Sequence, residues 1–304
     1  MASEIKQYTL CVLGCGNLGI SILASLIGSP PEGDGVLPAN KFIACVRSDA
    51  SVDRVKEKFS SHLNRLKVVK ENNVSAVRES DIVILSVDPV DVENTLRQCD
   101  LSDALKNKLL ISVVAGWTRK KLETVLYGSE TTATNMEDRC QIVRTLPNIA
   151  ATVAESITAI ETSDPPLQPH YVQITDSIFN RIGKTAYIDP KLMDAATAVG
   201  GSTPAFFSII CDALIDASVA VGVPRAVAQT MIFQAMRGTA TLLQSGIHPG
   251  VLKDQGTSPE GCTIGGLMVL EEAGIRGHVG KALREAVTIS RLMGNVAHVN
   301  DTRH

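Results

Sequence analysis

The sequence has no run of lysines or arginines longer than the three of Arg119-Lys120-Lys121, and 29 basic residues stand against 32 acidic ones for a formal charge of −3. Nucleic acid and anionic membrane surfaces are therefore excluded as general partners. No C-x-x-C pair occurs among the seven cysteines, and Cys11 and Cys15 flank a glycine-rich loop where a metal would obstruct a ligand. Neither a bound metal nor a structural disulfide is expected. The polar stretch Met1 to Tyr8 lacks the apolar core of a signal peptide and the arginine-rich pattern of a transit peptide, so the cytoplasm is the expected compartment. The most apolar segment, Ala205 to Val223, is interrupted by Asp212 and Asp216, which are costly in lipid. It reads as a buried helix, packed between other helices or across a subunit interface, and a homo-oligomer is expected with it. There is no internal repeat and no low-complexity tract.

What is present is enough chain for two domains: 304 residues, 44% of them apolar. The first half alternates short β-rich runs with helical patterns, the mark of a parallel sheet covered by helices. Strands are expected at Thr9 to Leu13, Phe42 to Val46, Lys67 to Val69, Ile82 to Val87, Leu109 to Val113 and Gln141 to Thr145. Gly28 to Asn40, with three prolines and three glycines, reads as an exposed loop. A second break at Asp164 to Pro169 precedes a helix through Gly183 and a strand at Thr185 to Ile188. Helical periodicity then takes over at Leu192 to Val199, Ala205 to Val221, Arg225 to Gln244, Ile264 to Glu272 and Val279 to Met293. The expected fold is α/β: a Rossmann-like dinucleotide-binding domain over residues 1–189, then an all-α domain over 190–304.

Gly14-Cys15-Gly16-Asn17-Leu18-Gly19 follows the first strand and opens the first helix. Such a loop uses its first glycine for the tight turn, its second for close approach of a pyrophosphate and its third for helix–sheet packing, while the helix N-terminus attracts the phosphates. The end of the second strand selects the dinucleotide. An acidic residue there would bind the ribose hydroxyls of NAD, whereas Arg47 and Ser48 suit the 2′-phosphate of NADPH. Arg47 as a merely solvated surface residue is the competing reading, and the nearby Asp49 keeps NADH as an alternative cofactor. Val87-Asp88-Pro89 and Ala115-Gly116 end the fourth and fifth strands, where ligands sit in this architecture; ordinary strand-to-helix turns are the alternative.

The stretch His248 to Gly265 is polar and turn-rich and runs into a helix near Thr263. Gly261, Cys262 and Thr263 would present free backbone N–H groups to a carboxylate, unless Thr263 simply caps the helix. His248 reads as a helix terminator rather than a catalytic group. With the Gly14–Gly19 loop, Val87-Asp88-Pro89, Ile111 to Gly116, Arg144-Thr145-Leu146-Pro147-Asn148 and Gly201 to Phe206, this stretch makes the chain resemble the pyrroline-5-carboxylate reductase family over nearly its whole length. The resemblance implies a helical dimerisation domain, with dimers that assemble into larger rings. It further implies that Ser258, Gly261, Cys262 and Thr263 receive the carboxylate of a small cyclic imino acid, with Thr263 beside the ring nitrogen. The implied reaction reduces pyrroline-5-carboxylate to proline, the last step of proline synthesis. A protonated cyclic imine is already electrophilic, so such a site needs orientation more than acid–base machinery, and a neutral imine needs one proton, which Thr263 can donate or relay.

Several positions depart from the usual family residues: Asp88 for lysine, Thr203 and Glu260 for glycine, Ile149-Ala150 for threonine-proline, and Gly256 for a branched apolar residue. Glu260 is the hardest to dismiss, because a negative charge near a bound carboxylate weakens its binding. The departures leave two other readings: a paralogue that reduces the six-membered piperideine-carboxylate to pipecolate, and an inactive NADPH-binding scaffold. A hydroxy-acid dehydrogenase is excluded, because the long helix Arg225 to Gln244 has no lysine to serve as its acid–base group.

Overall fold

The structure, a computed structural model, describes residues 8–28, 39–132 and 137–293. Most of the polar N-terminal stretch and the central part of the loop expected across Gly28 to Asn40 lie outside the described residues. Those that are described gather into two compact units, one reaching Gly201 and taking in the chain again from Val287, the other spanning Ser202–Ala286.

The first unit is built on an eight-stranded sheet: β1 (Tyr8–Leu13), β2 (Ala39–Val46), β3 (Leu66–Lys70), β4 (Ile82–Leu85), β5 (Leu109–Ser112), β6 (Gln141–Leu146), β7 (Ser156–Glu161) and β8 (Gly183–Ile188). The strand order is β3-β2-β1-β4-β5-β6-β7-β8, parallel from β3 through β6. The order reverses between β2 and β4 around β1, which is where a doubly wound sheet opens a crevice at its carboxyl edge. Alternate residues feed two separate cores. Leu10, Val12, Phe42, Ile82, Ile84 and Ile111 pack on one face, and Cys11, Leu13, Ile43, Val83, Leu85 and Leu110 on the other. Burial on both faces is why these strands read as unbroken apolar runs rather than as alternating patterns.

Strand β7 was not expected. It pairs antiparallel with β6 and parallel with β8, and Ser156, Thr158 and Glu161 in it are buried polar residues that break the apolar signal. Glu161 is accounted for by Arg144, whose guanidinium is 3% exposed and lies 3.4 Å from Glu161 and 3.2 Å from Asp194. Burial pushes the Glu161 carboxyl up from its ordinary range, and the guanidinium opposes that rise. Asn148 continues the same fastening by donating from Nδ2 to the Gly200 carbonyl at 2.9 Å. The Arg144–Asn148 motif thus ties β6 to β7 and to the helix Met193–Gly201.

In the second unit the helices Thr203–Ala220 and Arg225–Gln244 pack together, followed by Pro249–Gln255 and Cys262–Glu272; Ile275–Leu292 begins in this unit. The helix expected as buried is not buried within one chain: only Cys211 and Ile215 are covered along Thr203–Ala220, while Phe207, Ile209, Ile210 and Leu214 stand exposed. By length and hydropathy Pro190–Ala220 would cross a bilayer, but Asp194, Asp212 and Asp216 within it oppose that. The polar stretch from His248 is also corrected, because it contains a helix. His248 starts that helix rather than ending the preceding one: its Nδ1 accepts from the Gly250 N–H at 3.1 Å, and Pro249 supplies the preset first-turn φ.

Candidate active site

A cleft of about 880 Å³ opens at the carboxyl edge of β1, β2, β4 and β5, and Gly14 to Leu18 form its floor. The three glycines differ in what surrounds them. Gly14 holds φ +87°, and a Cβ there would meet the Ser86 carbonyl oxygen and Val87 at 2.7 Å. A Cβ on Gly19 would meet the Gly14 oxygen at 2.6 Å, so this residue lets the helix Asn17–Gly28 close on the sheet. Gly16 has nothing within 4 Å of its Cβ position and leaves open space above the loop. A turn, an open approach and a close packing contact are what a pyrophosphate-binding loop requires, and the residues present therefore fit a dinucleotide.

Arg47 and Ser48 leave β2 along the same cleft. Ser48 caps the helix Asp49–Lys58, its oxygen accepting from the Ser51 N–H at 3.3 Å. Arg47 is 80% exposed and meets Asp91 at 2.7 Å. Asp49 turns away to Lys70, also at 2.7 Å, and does not line the cleft. Val87, Asp88, Pro89 and Ala115 do line it. Asp88 caps the short turn Pro89–Asp91, its oxygen accepting from the Val90 N–H, which gives the aspartate a local role where lysine is usual. Gly116 is not part of the lining; at φ +76° it packs against Met293, 3.3 Å from its Cβ position.

Sequence reasoning missed Arg54, Ser51, Glu71 and Asn73, all of which face the cleft. Arg54 donates from Nη2 to the Cys15 carbonyl at 3.3 Å, bringing a second cation to the phosphate loop. It stands in the second turn of the helix Asp49–Lys58 that follows Arg47 and Ser48, and its nearness to that helix start was the available signal. Burial pushes the Cys15 thiol up to about 12, so it stays protonated beneath the loop. Among the described residues no group of three or more His, Cys, Asp and Glu side chains gathers as a metal site would require.

The second unit carries the other candidate residues. Gly261 caps the helix Cys262–Glu272 with extended backbone, and no side chain takes part in that cap. The Thr263 hydroxyl is therefore not spent on capping. Gly261 N–H donates to the Ser258 carbonyl at 3.0 Å, and the first return bond of the helix runs from Gly265 to the Gly261 carbonyl at 3.2 Å. This geometry leaves the N–H groups of Cys262, Thr263 and Ile264 without intrahelical acceptors. Ser258 Oγ sits 2.5 Å from the place a Gly261 Cβ would occupy, so the glycine admits that hydroxyl to the helix end. Glu260 holds φ +58°, the left-handed region, which explains why glycine is the usual residue there.

Comparison with known proteins agrees with both parts. Residues 190–293 match the model for pyrroline-5-carboxylate reductase dimerisation, and residues 9–116 match that for NADP oxidoreductase, coenzyme F420-dependent. The pyrroline-5-carboxylate reductase of Lophium arboricola is 43% identical, over 99% of this chain and 98% of that protein. That of Neurospora crassa is 40% identical, over 100% and 99%. The crystal structure of Plasmodium falciparum pyrroline carboxylate reductase with NADP bound has the same fold, with a TM-score of 0.77 at 24% identity over 95% of this chain and 99% of that one. The exposed apolar faces of the second unit are those a dimerisation domain covers, and a chain matched end to end at this identity belongs to the pyrroline-5-carboxylate reductase family.

Proposed function

We propose that this chain reduces 1-pyrroline-5-carboxylate to L-proline with NADPH, as the last step of proline synthesis. The observation that carries the reading is the full-length match at 43% identity to a pyrroline-5-carboxylate reductase, joined to a glycine loop whose middle residue leaves room for a pyrophosphate. Residues 1–189 bind the dinucleotide through Gly14, Cys15, Gly16, Asn17 and Leu18, with Gly19 holding helix to sheet, and through Arg47, Ser48, the turn at Val87-Asp88-Pro89 and Ala115, with Gly116 shaping the turn after it. Residues 190–304 bind the substrate and pair the subunits, in dimers that build larger rings. The cytoplasm is the compartment we assign.

NADPH supplies the hydride when bound. The chain's own part begins with the N–H groups of Cys262 and Thr263, which with Ser258 hold the substrate carboxylate against the positive end of a helix. A carboxylate fixed there places the ring, and the Thr263 hydroxyl, free of any cap, donates or relays one proton to the ring nitrogen. Holding the electrophilic carbon in a reactive orientation and excluding water supply most of the rate.

The second reading, reduction of the six-membered piperideine-carboxylate, rests on Glu260, whose charge stands one residue before the cradle. The test compares kcat/KM for the two rings with NADPH and with NADH, followed through loss of the reduced nicotinamide absorbance. Preference for the five-membered ring with NADPH supports the proposal. Preference for the six-membered ring replaces it, and preference for NADH removes the role given to Arg47.

A further inference from the structure

The ion pair between Arg47 and Asp91 crosses the mouth of the cofactor cleft, from the end of β2 to the turn after β4. Asp91 is not free to swing aside with its turn. Asp88 caps that turn from within, and Trp117 fastens it from outside by donating Nε1–H to the Pro89 carbonyl at 2.9 Å. Arg47 has the opposite character, a long side chain 80% exposed whose one ion pair among the described residues is this contact. The fastened partner therefore sets the position of the exposed one. The charges lining the cleft are Arg47 and Arg54 against Glu71, Asp88 and Asp91, a formal sum of −1. A 2′-phosphate brings a charge of about −2 to that setting, by analogy with other phosphate monoesters. A site selected only for the phosphorylated dinucleotide would not place a carboxylate on its own selecting arginine.

We propose that Asp91 is a specificity-determining residue, which occupies Arg47 and opposes the 2′-phosphate, and so narrows the preference for NADPH over NADH. The inference rests on the reading of Arg47 as the group that recognises the 2′-phosphate. Occupying Arg47 and repelling the phosphate both act on the 2′-phosphate, so the effect proposed for Asp91 is on the phosphorylated dinucleotide. Asp91→Asn keeps the side-chain size and removes the charge. Exposed ion pairs of this kind shift an equilibrium by up to about fivefold, and that is the scale expected here.

The test is calorimetric titration of the full-length protein with NADP⁺, with NAD⁺ and with adenosine 2′,5′-bisphosphate, for the parent, Asp91→Asn, Arg47→Ala and the double variant, each shown by thermal melting to be folded. Asp91→Asn is expected to tighten NADP⁺ and the bisphosphate by about three- to fivefold, to leave NAD⁺ within about twofold, and to have a smaller effect in the Arg47→Ala background, where only the repulsion remains. Weaker NADP⁺ binding in Asp91→Asn would show Asp91 to be a brace for Arg47, and an equal shift for NAD⁺ would show a general effect on the cleft. Either result overturns the proposal. Should Arg47→Ala leave NADP⁺ binding unchanged, the reading beneath the proposal fails with it; should Arg47→Ala weaken NADP⁺ while Asp91→Asn does nothing, only the role of Asp91 is lost.

Discussion

Replacing each glycine of the phosphate loop by alanine separates folding from cofactor binding, because the three positions have different surroundings. At Gly16 an added Cβ meets nothing within 4 Å, so the apo fold has no steric objection. Gly16 is also outside the positive-φ glycines, and restricting the unfolded chain there contributes about 0.4–1 kcal/mol of stability. The melting temperature of Gly16→Ala without cofactor is expected to hold or rise slightly. The open space is, however, the path by which a pyrophosphate reaches the loop backbone. A methyl group there denies at least one charge-assisted hydrogen bond, worth about 1.5–3 kcal/mol. The dissociation constant for NADP⁺ is then expected to rise about tenfold to hundredfold.

Gly14→Ala and Gly19→Ala behave in the opposite way. Contacts of 2.7 Å and 2.6 Å to backbone atoms must be relieved by moving strand or helix, at a cost of roughly 1–3 kcal/mol each. At Gly14 the left-handed φ of +87° adds about 1–2 kcal/mol more. Differential scanning fluorimetry of the apo proteins and calorimetric titration with NADP⁺ measure the two quantities independently. If Gly16→Ala bound NADP⁺ within twofold of the parent, or melted well below it without cofactor, the assignment of that space to the pyrophosphate would be refuted.

Other outcomes follow from the same geometry. Arg54→Gln removes the cation on the Cys15 carbonyl and is expected to weaken NADP⁺ and NAD⁺ alike by about tenfold, because the pyrophosphate is common to both; a loss confined to NADP⁺ would place Arg54 at the 2′-phosphate instead. Glu260→Gly relieves a left-handed residue while adding flexibility to the unfolded chain, terms of about 1 kcal/mol that nearly cancel, so its signature is a KM about twofold lower at unchanged kcat; an unchanged KM would show that the carboxylate faces away from the substrate. Thr263→Ala is expected to lower kcat most at high pH, where the imine enters neutral, and Thr263→Ser to restore it; a loss equal at all pH values would assign the hydroxyl to binding alone. Cys15 has its thiol raised by burial from an ordinary value near 9 to about 12. Between those values the unfolded chain ionises Cys15 and the fold does not, so stability falls as pH rises through that window, and a thiol reagent at neutral pH labels Cys15 only after denaturation. Labelling of Cys15 itself in the native protein, beside the exposed Cys99 and Cys262, would contradict that burial.

The first unit was legible because its strands are buried on both faces and announce themselves as apolar runs, each ending where the chain must turn. Strand β7 escaped because Ser156, Thr158 and Glu161 put polar side chains inside, and what makes them tolerable is partnership with residues distant in sequence, such as Arg144 and Glu161. Burial in the second unit was legible only as two alternatives, for a related reason. An apolar circumference says that a helix must be covered, but not whether its own chain or a second copy covers it, and along Thr203–Ala220 the chain itself covers only Cys211 and Ile215. The helix after His248 was lost to its composition: seven residues with a proline and a glycine read as a turn, although the proline stands where its missing N–H costs nothing. Arg54 was passed over because attention stayed on the strand end, while the side chain that returns to the loop comes from the next helix.

The departures from the usual family residues can now be ranked by mechanism rather than by chemical dissimilarity. Asp88 reverses a charge, yet it caps the turn after β4, and its carboxylate has local work there. Thr203 takes the first position of a helix whose second residue is Pro204, a place that makes no demand for glycine. Gly256 ends the helix Pro249–Gln255 at φ −82°, and a Cβ there would make only ordinary contacts from 3.5 Å outward, so a branched residue would be accepted without strain. Glu260 alone combines a conformation that disfavours it with a charge of the same sign as the substrate's carboxylate. A residue that brings the fold no gain over glycine and opposes the expected ligand is the one position where selection for a different ring, or for weaker binding of the usual one, would leave its trace. Comparing Glu260→Gly with the parent on both cyclic imino acids decides between them: an equal gain for the two rings marks a tuning of affinity, and a gain for the five-membered ring alone marks Glu260 as a determinant of ring size.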